Sequence, residues 1–119
     1  MSDADPDSLP LLDDEAITEL RDIMEDEFAE LLNAFLNDLP AQIARLQTVA
    51  TQGDADELYQ IAHKLKSSCG SIGAPRLTEL IRRLEQAGRQ KVLDGATPLL
   101  RQVETVAGET IAGLRARLD

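Results

Sequence analysis

The apolar residues of this chain recur at spacings of three and four along most of its length, which is the period of an amphipathic α-helix. The longest of these stripes crosses Pro40 without losing its phase and consists of Phe28, Leu31, Leu32, Phe35, Leu39, Ile43, Leu46 and Val49. Because proline removes one amide donor and crowds the preceding turn, we predict a single helix that bends at Pro40. No segment shows the apolar–polar alternation of a half-buried β-strand. The pattern therefore favours an all-α fold.

Residues that begin or end helices divide this pattern into five predicted helices. Asp54 precedes one stripe as a candidate N-cap, and Gly73 follows it as a candidate left-handed C-cap. Gly53 is placed to end the long helix before that stripe, and Pro75 suits the first turn of the helix after it. Four of the predicted helices are long and have short connections, so consecutive helices must lie antiparallel. We predict an up-down-up-down antiparallel four-helix bundle with an additional short N-terminal helix that begins near Asp13.

Chain size and composition are those of one small domain. The 119 residues are 43% hydrophobic, which is enough for a single core, and only 3% are aromatic, so that core must consist of aliphatic side chains. Residues 1–12 are polar and acidic and contain two prolines, so we expect a flexible acidic tail there. The helical domain is predicted to cover residues 13–119.

Charge is distributed unevenly along the chain, whose formal net charge is −10. Residues 1–38 carry 13 acidic side chains and one basic side chain, whereas residues 63–91 carry seven basic and two acidic side chains. The overall charge argues against nucleic acid and anionic membranes as partners, while the basic segment favours a negative protein surface or a phosphate. No apolar run has the length of a membrane span and no signal peptide precedes the acidic start, so we expect a cytoplasmic protein.

The only histidine of the chain, His63, lies within the predicted helix over residues 54–72 but off its buried stripe. Its neighbours on that helix face, at spacings of three, four and seven residues, are Tyr59, Gln60, Lys66, Ser67 and Gly70. This face is polar, so the imidazole should reach solvent and Lys66 should reach a group bound to it. The chain has no second histidine, no cysteine pair and no glycine-rich phosphate loop, which argues against zinc and ATP sites.

The segment around His63 resembles the active-site helix of histidine-containing phosphotransfer (HPt) domains, whose pattern reads roughly Ala-His-x-Leu-Lys-Gly-Ser-Ser-x-x-Leu-Gly-Ala. The matching positions are Ala62, His63, Leu65, Lys66, Ser68, Ile72, Gly73 and Ala74. The resemblance extends over roughly residues 13–118, which makes a short motif specific. Ser67 stands where the family usually has glycine, and its hydroxyl could either narrow access to the imidazole or help to hold a phosphoryl group.

This resemblance implies a phosphorelay intermediary without a cofactor of its own. His63 would accept a phosphoryl group from the aspartyl phosphate of a receiver domain, in a response regulator or a hybrid sensor kinase, and pass it to another receiver domain. Lys66 would offset charge on the phosphoryl oxygens. A magnesium ion is expected in the receiver domain, and no ATP-dependent kinase activity is expected of this chain, which we expect to be monomeric. The predicted docking residues are Tyr59, Gln60, Ser67, Gly70 and Arg89.

Two other functions stay open on the sequence. The chain could be a non-catalytic helical protein-binding module in which His63 is incidental, or a phosphate sink that drains a receiver domain. An acid-labile phosphate on His63 separates the first alternative from a phosphotransfer protein. The sequence does not separate a sink from a relay.

Overall fold

The computed structural model describes residues 5–118, which form five α-helices and a short 3-10 helix, Pro6–Ser8, with no β-strand among them. The α-helices are α1 (Asp14–Met24), α2 (Glu27–Thr51), α3 (Ala55–Ile72), α4 (Pro75–Gln90) and α5 (Ala96–Leu118). The number and order of the helices confirm the sequence prediction. α2 runs through Pro40 as one helix, as its unbroken stripe indicated.

The predicted helix boundaries around α3 are confirmed by their hydrogen bonds and backbone angles. The carboxylate of Asp54 accepts the backbone N–H of Glu57 at 3.1 Å, which satisfies one of the unpaired donors of the first turn. Gly73 ends the helix in the left-handed conformation with φ +88°. Pro75 then occupies the first turn of α4, where a missing N–H costs nothing.

The four long helices pack in a ring. Close backbone contacts join α2 to α3, α3 to α4, α4 to α5 and α5 back to α2, with α3 and α4 the most closely packed pair. Short connections make successive helices antiparallel, which gives the predicted up-down-up-down bundle. α1 lies across α2 and α3 and is held to the end of α5, because Arg117 Nε donates to Asp14 Oδ1 at 2.5 Å. None of the described helices has the apolar length that a transmembrane segment needs.

The core is aliphatic and is formed by the inner faces of the four long helices. Every member of the stripe predicted for α3 is buried, namely Leu58, Ile61, Ala62, Leu65, Cys69 and Ile72. The stripe predicted for α2 differs at three positions: Leu36 is buried, whereas Leu31 is exposed and Phe35 only half-buried. Ile23 of α1 is also exposed, because a short helix that packs on the outside of a bundle buries only a narrow face.

Part of the tail predicted over residues 1–12 is attached to α4 in the structure. Pro6 is buried, and the backbone carbonyl of Pro10 accepts the N–H of Arg76 at 3.2 Å. Arg76 Nε also donates to the carbonyl of Leu9 at 3.0 Å. α4 has no side-chain cap at Ala74, so this segment satisfies a first-turn donor that would otherwise lack a partner. Residues 1–4 lie outside the described part of the chain.

Candidate functional site

The predicted phosphoryl acceptor His63 lies in the middle of α3 on its solvent side. Its side chain is 52% exposed, whereas the preceding residue, Ala62, is fully buried. This difference follows from the phase of the helix, because residues one position apart point about 100° away from each other. The imidazole is thus accessible to a partner while its backbone is fixed by the core.

The imidazole is held by a carboxylate from the neighbouring helix. Glu85 of α4 places Oε2 2.5 Å from Nδ1 of His63 and Oε1 2.7 Å from Nζ of Lys66. The Glu85 side chain is only 5% exposed, whereas Lys66 is 30% exposed. One buried carboxylate therefore binds both candidate residues of α3, each through a different oxygen.

This contact determines which nitrogen of His63 carries a proton in the neutral ring. A carboxylate can only accept hydrogen bonds, so Nδ1 must carry the proton that it donates to Glu85. In the neutral ring the lone pair then lies on Nε2, on the edge away from Glu85. Because His63 is exposed, a phosphorus atom from outside the molecule can approach that nitrogen.

Glu85 keeps its negative charge despite its burial. Burial raises the pKa of its carboxyl, but the hydrogen bonds and positive charge of Lys66 and the hydrogen bond from His63 outweigh that effect, so the pKa lies below its ordinary value. A carboxylate that remains ionised at neutral pH continues to accept from Nδ1. The buried charge is stable here because both of its oxygens are paired.

Tyr59, predicted as a docking residue, contacts His63 directly. The two rings are stacked, with centroids 5.7 Å apart and planes inclined by 20°. The guanidinium carbon of Arg89 lies over the Tyr59 ring at 5.4 Å from its centroid, a cation–π contact. Arg89, also predicted as a docking residue, therefore belongs to the same cluster as the imidazole.

Gly88 allows α3 and α4 to approach closely enough for these contacts. A Cβ at this position would lie 2.8 Å from the carbonyl oxygen of Ala55 and 2.8 Å from the backbone nitrogen of Tyr59. Since no flexible side chain can move aside, only glycine fits there. Glu85 and Arg89 flank Gly88 on α4, so the same close approach brings both to α3.

The other predicted docking residues lie on the exposed side of α3. Gln60, Ser67 and Gly70 are all exposed, and the Ser67 hydroxyl donates to the backbone carbonyl of His63 at 3.5 Å. A Cβ at Gly70 would meet no atom within 4 Å, so the fold itself does not require glycine at this position.

An apolar groove of about 500 Å³ begins beside this face. It is lined by residues of α1, α2 and α3, which include Leu20, Leu31, Phe35, Leu65, Ser67 and Ile72. The two α2 residues that the sequence placed in the core, Leu31 and Phe35, face this groove instead. The surface next to His63 is thus polar on α3 and apolar toward α2.

Two further arginines that border the site are already paired. Arg82 makes a bidentate contact to Glu79, with Nε 2.9 Å from Oε1 and Nη2 2.7 Å from Oε2, and Arg83 Nε donates to Oε2 at 3.0 Å. The hydrogen bond from Arg82 is the main reason that the pKa of Glu79 lies below its ordinary value. These arginines therefore stabilise α4 locally, and the carboxylate of Glu79 offsets part of their positive charge.

His63 and Lys66 were predicted as site residues from the sequence, whereas Glu85, which contacts both, was not. An acidic residue at a stripe position of α4, between Leu84 and the glycine at 88, was the available signal. A buried charge needs a partner, and α3 offers one histidine, His63, and two lysines, Lys64 and Lys66. This signal can be interpreted only when α4 is known to pack against α3, and local periodicity does not show which helices are neighbours.

Comparison with known proteins identifies the family to which this chain is similar. A family model described as Hpt domain matches residues 30–117. One similar structure is that of HptB from Pseudomonas aeruginosa PAO1, a histidine-containing phosphotransfer protein. Its sequence is 30% identical to this chain, the alignment covers 91% of this chain and 94% of HptB, and the TM-score is 0.87. ZmHP2 from maize, also a histidine-containing phosphotransfer protein, is 23% identical over 91% of this chain and 89% of its own, with a TM-score of 0.79. No curated protein sequence matches significantly.

Proposed function

Because this chain belongs to the Hpt domain family and is a phosphorelay histidine phosphotransfer protein, we propose that His63 is the residue that carries its phosphoryl group. The donor is the aspartyl phosphate of a receiver domain and the acceptor is the aspartate of another. The observation that supports this assignment best is the double contact of Glu85, which binds Nδ1 of His63 and Nζ of Lys66 and leaves Nε2 unbound by Glu85 in a side chain that is 52% exposed.

The transfer step needs little covalent chemistry from this chain. The Nε2 lone pair attacks phosphorus as the bond between phosphorus and the aspartate oxygen breaks, and the carboxylate leaves with that electron pair. The ring becomes a phosphoimidazolium whose positive charge is stabilised by Glu85 through Nδ1–H. Onward transfer reverses these bond changes with a second carboxylate. This chain supplies position and charge, and we expect the receiver domain to supply magnesium.

Lys66 has a second task in this proposal. Its ammonium has three donors and uses one on Glu85 at 2.7 Å, so two are available for phosphoryl oxygens. Glu85 prevents the ammonium from moving away into solvent before the phosphate arrives. Lys64, which follows His63 directly, lines a different groove with Asp38 and Glu57 and contributes only general positive charge.

We further propose that the receiver domain docks over His63 as a single copy on a monomeric chain. The exposed Gln60, Ser67 and Gly70 form the centre of this surface, and Arg89 lies at its rim. Gly70→Trp should block docking of a cognate receiver domain in titration calorimetry, because the fold leaves open space there. Arg89→Ala should only weaken docking, and more so at low salt, since rim charges act mainly on association. Unchanged binding by folded Gly70→Trp would place the docking surface elsewhere.

The assignment of His63 is tested by label transfer. Candidate receiver domains are phosphorylated with radiolabelled acetyl phosphate, freed of excess donor and mixed with the chain. We expect acid-labile label on the wild type and none on His63→Gln, with unchanged helical circular dichroism because His63 is not part of the core. Label retained by the variant at wild-type level contradicts the assignment. A chain that binds these receiver domains without taking label is the binding module instead.

A relay and a phosphate sink differ in the next step. The purified phosphorylated chain is mixed with a second, unphosphorylated receiver domain, and the label is followed on both proteins. Transfer to that receiver domain supports a relay. Loss of label as inorganic phosphate, without transfer to any candidate, supports a sink.

A further inference from the structure

We propose that Tyr59 is a positioning residue for phosphoryl transfer: its ring fixes the plane of the His63 imidazole, and Arg89 holds the Tyr59 ring in place. The proposal rests on His63 being the phosphoryl acceptor. It assigns to Tyr59 and Arg89 a task inside this chain, in addition to any contact with a receiver domain.

A single hydrogen bond does not fix an imidazole. The contact between Nδ1 and Glu85 at 2.5 Å holds one edge of the ring, but the ring can still rock about that axis and move Nε2 sideways. A flat neighbour removes this motion. The Tyr59 ring is stacked on the imidazole at a centroid distance of 5.7 Å and an inclination of 20°. Glu85 then restrains the edge of the imidazole and Tyr59 restrains its face, so the Nε2 lone pair points in one direction.

Tyr59 is itself held from two sides. It lies one turn before His63 on α3, where side chains four residues apart are neighbours, and it is half-buried. Its backbone nitrogen lies 2.8 Å from the position that a Cβ at residue 88 would take, so α4 packs directly against it. The guanidinium of Arg89, the next residue of α4, lies over its ring at 5.4 Å. Together these contacts form a stack of guanidinium, phenol and imidazole on the surface.

The direction of the lone pair matters because the attack on phosphorus is in line with the leaving oxygen. An imidazole that rocks presents a correctly oriented Nε2 for only part of the time, and the rate falls in proportion. The contact uses the face of the Tyr59 ring and not its hydroxyl. Phenylalanine should therefore substitute for Tyr59, whereas an aliphatic side chain should not.

A small phosphodonor tests this role without the influence of receiver docking. Phosphoramidate transfers its phosphoryl group as the Nε2–phosphorus bond forms, the phosphorus–nitrogen bond of the donor breaks and ammonia leaves. We expect Tyr59→Leu to take phosphate from phosphoramidate about two- to tenfold more slowly than the wild type, the range that corresponds to one aromatic pair. Tyr59→Phe should stay within twofold of the wild type. Lys64→Leu, with the same new side chain on the same helix, is the control and should also stay within twofold.

A second measurement reports on the ring itself. In ¹³C relaxation of Cε1, the His63 ring should be more mobile in Tyr59→Leu and Arg89→Ala than in the wild type and Tyr59→Phe, before any phosphate is added. A Tyr59→Leu variant that reacts with phosphoramidate like the wild type and has an equally rigid ring overturns the proposal. Equal loss in Tyr59→Phe and Tyr59→Leu also overturns it, since the hydroxyl would then be the active group. Failure of the proposed function is recognised separately, because the wild type would then take no phosphate at His63.

Discussion

Replacing Glu85 with glutamine separates the two tasks of this buried side chain. Glutamine has nearly the same shape but presents one acceptor oxygen and one donor nitrogen. Lys66 can only donate, so the amide oxygen must face its ammonium, which places the amide nitrogen against Nδ1 of His63. Nδ1 must then accept, and the proton moves to Nε2. In Glu85→Gln the attacking nitrogen therefore has no lone pair to offer.

The size of the effect follows from the bond that is lost. A hydrogen bond to a charged group contributes roughly 1.5–3 kcal/mol, which corresponds to a reduction in transfer rate of about 10- to 150-fold. Stability should change less. Lys66 keeps an acceptor and is 30% exposed, so we expect a loss of about 1 kcal/mol in the free energy of unfolding.

Single-turnover phosphorylation by phosphoramidate measures the rate, and long-range ¹H–¹⁵N NMR of the His63 ring measures which nitrogen carries the proton. Glu79→Gln is the matched control, because it makes the same change on the same helix at a carboxylate that binds Arg82 and Arg83 instead of His63. A Glu85→Gln protein that reacts within twofold of the wild type, with its proton still on Nδ1, refutes the reasoning.

Three further predictions concern charge, packing and pH. Lys66→Ala should slow transfer from a receiver domain about 10- to 100-fold in single-turnover assays, whereas Lys64→Ala should change it less than twofold; the reverse order contradicts the geometry. Gly88→Ala should lower the free energy of unfolding by about 1–3 kcal/mol in urea titrations, because its methyl group meets the α3 backbone at 2.8 Å, and an unchanged urea midpoint contradicts this packing. Stability should fall on acidification: the pKa of Glu79 is depressed in the folded chain, so its contribution is complete above the ordinary carboxyl value of about 4.3 and is lost as the pH falls through the depressed one. Glu79→Gln should therefore show a shallower decline of the urea midpoint between about pH 5 and 3 than the wild type, and an equal decline contradicts this origin.

Local periodicity predicted the helices because the apolar stripe and the capping residues of each helix lie within the sequence of that helix or next to it. The stripe of α3, its cap at Asp54 and its stop at Gly73 all depend on neighbours within a few residues, and all are confirmed. The exposure of His63 follows from the same phase. The preceding helix was harder to predict, since apolar residues surround much of it and only tertiary packing decides that Leu36 is buried and Leu31 is not.

Contacts between helices could not be predicted in this way. The link between Glu85 and the two residues of α3 depends on the register of α3 against α4, which the close approach at Gly88 sets. The attachment of residues 5–12 depends on an unpaired donor at the start of α4, which becomes visible only when Ala74 is seen to provide no cap. In both cases a polar group is hydrogen-bonded by a residue far away in the sequence, and a pattern within a few residues cannot predict such a partner.

The central claim is that the phosphoryl group is bonded to Nε2 of His63 because Glu85 retains Nδ1. The most direct test is ³¹P–¹⁵N NMR of the phosphorylated chain with ¹⁵N-labelled histidine, since the protein has one histidine and the assignment is therefore unambiguous. We expect one-bond coupling of phosphorus to Nε2, with a proton on Nδ1. Phosphorus bonded to Nδ1, or to no histidine nitrogen in a chain that has taken up phosphate, would contradict it.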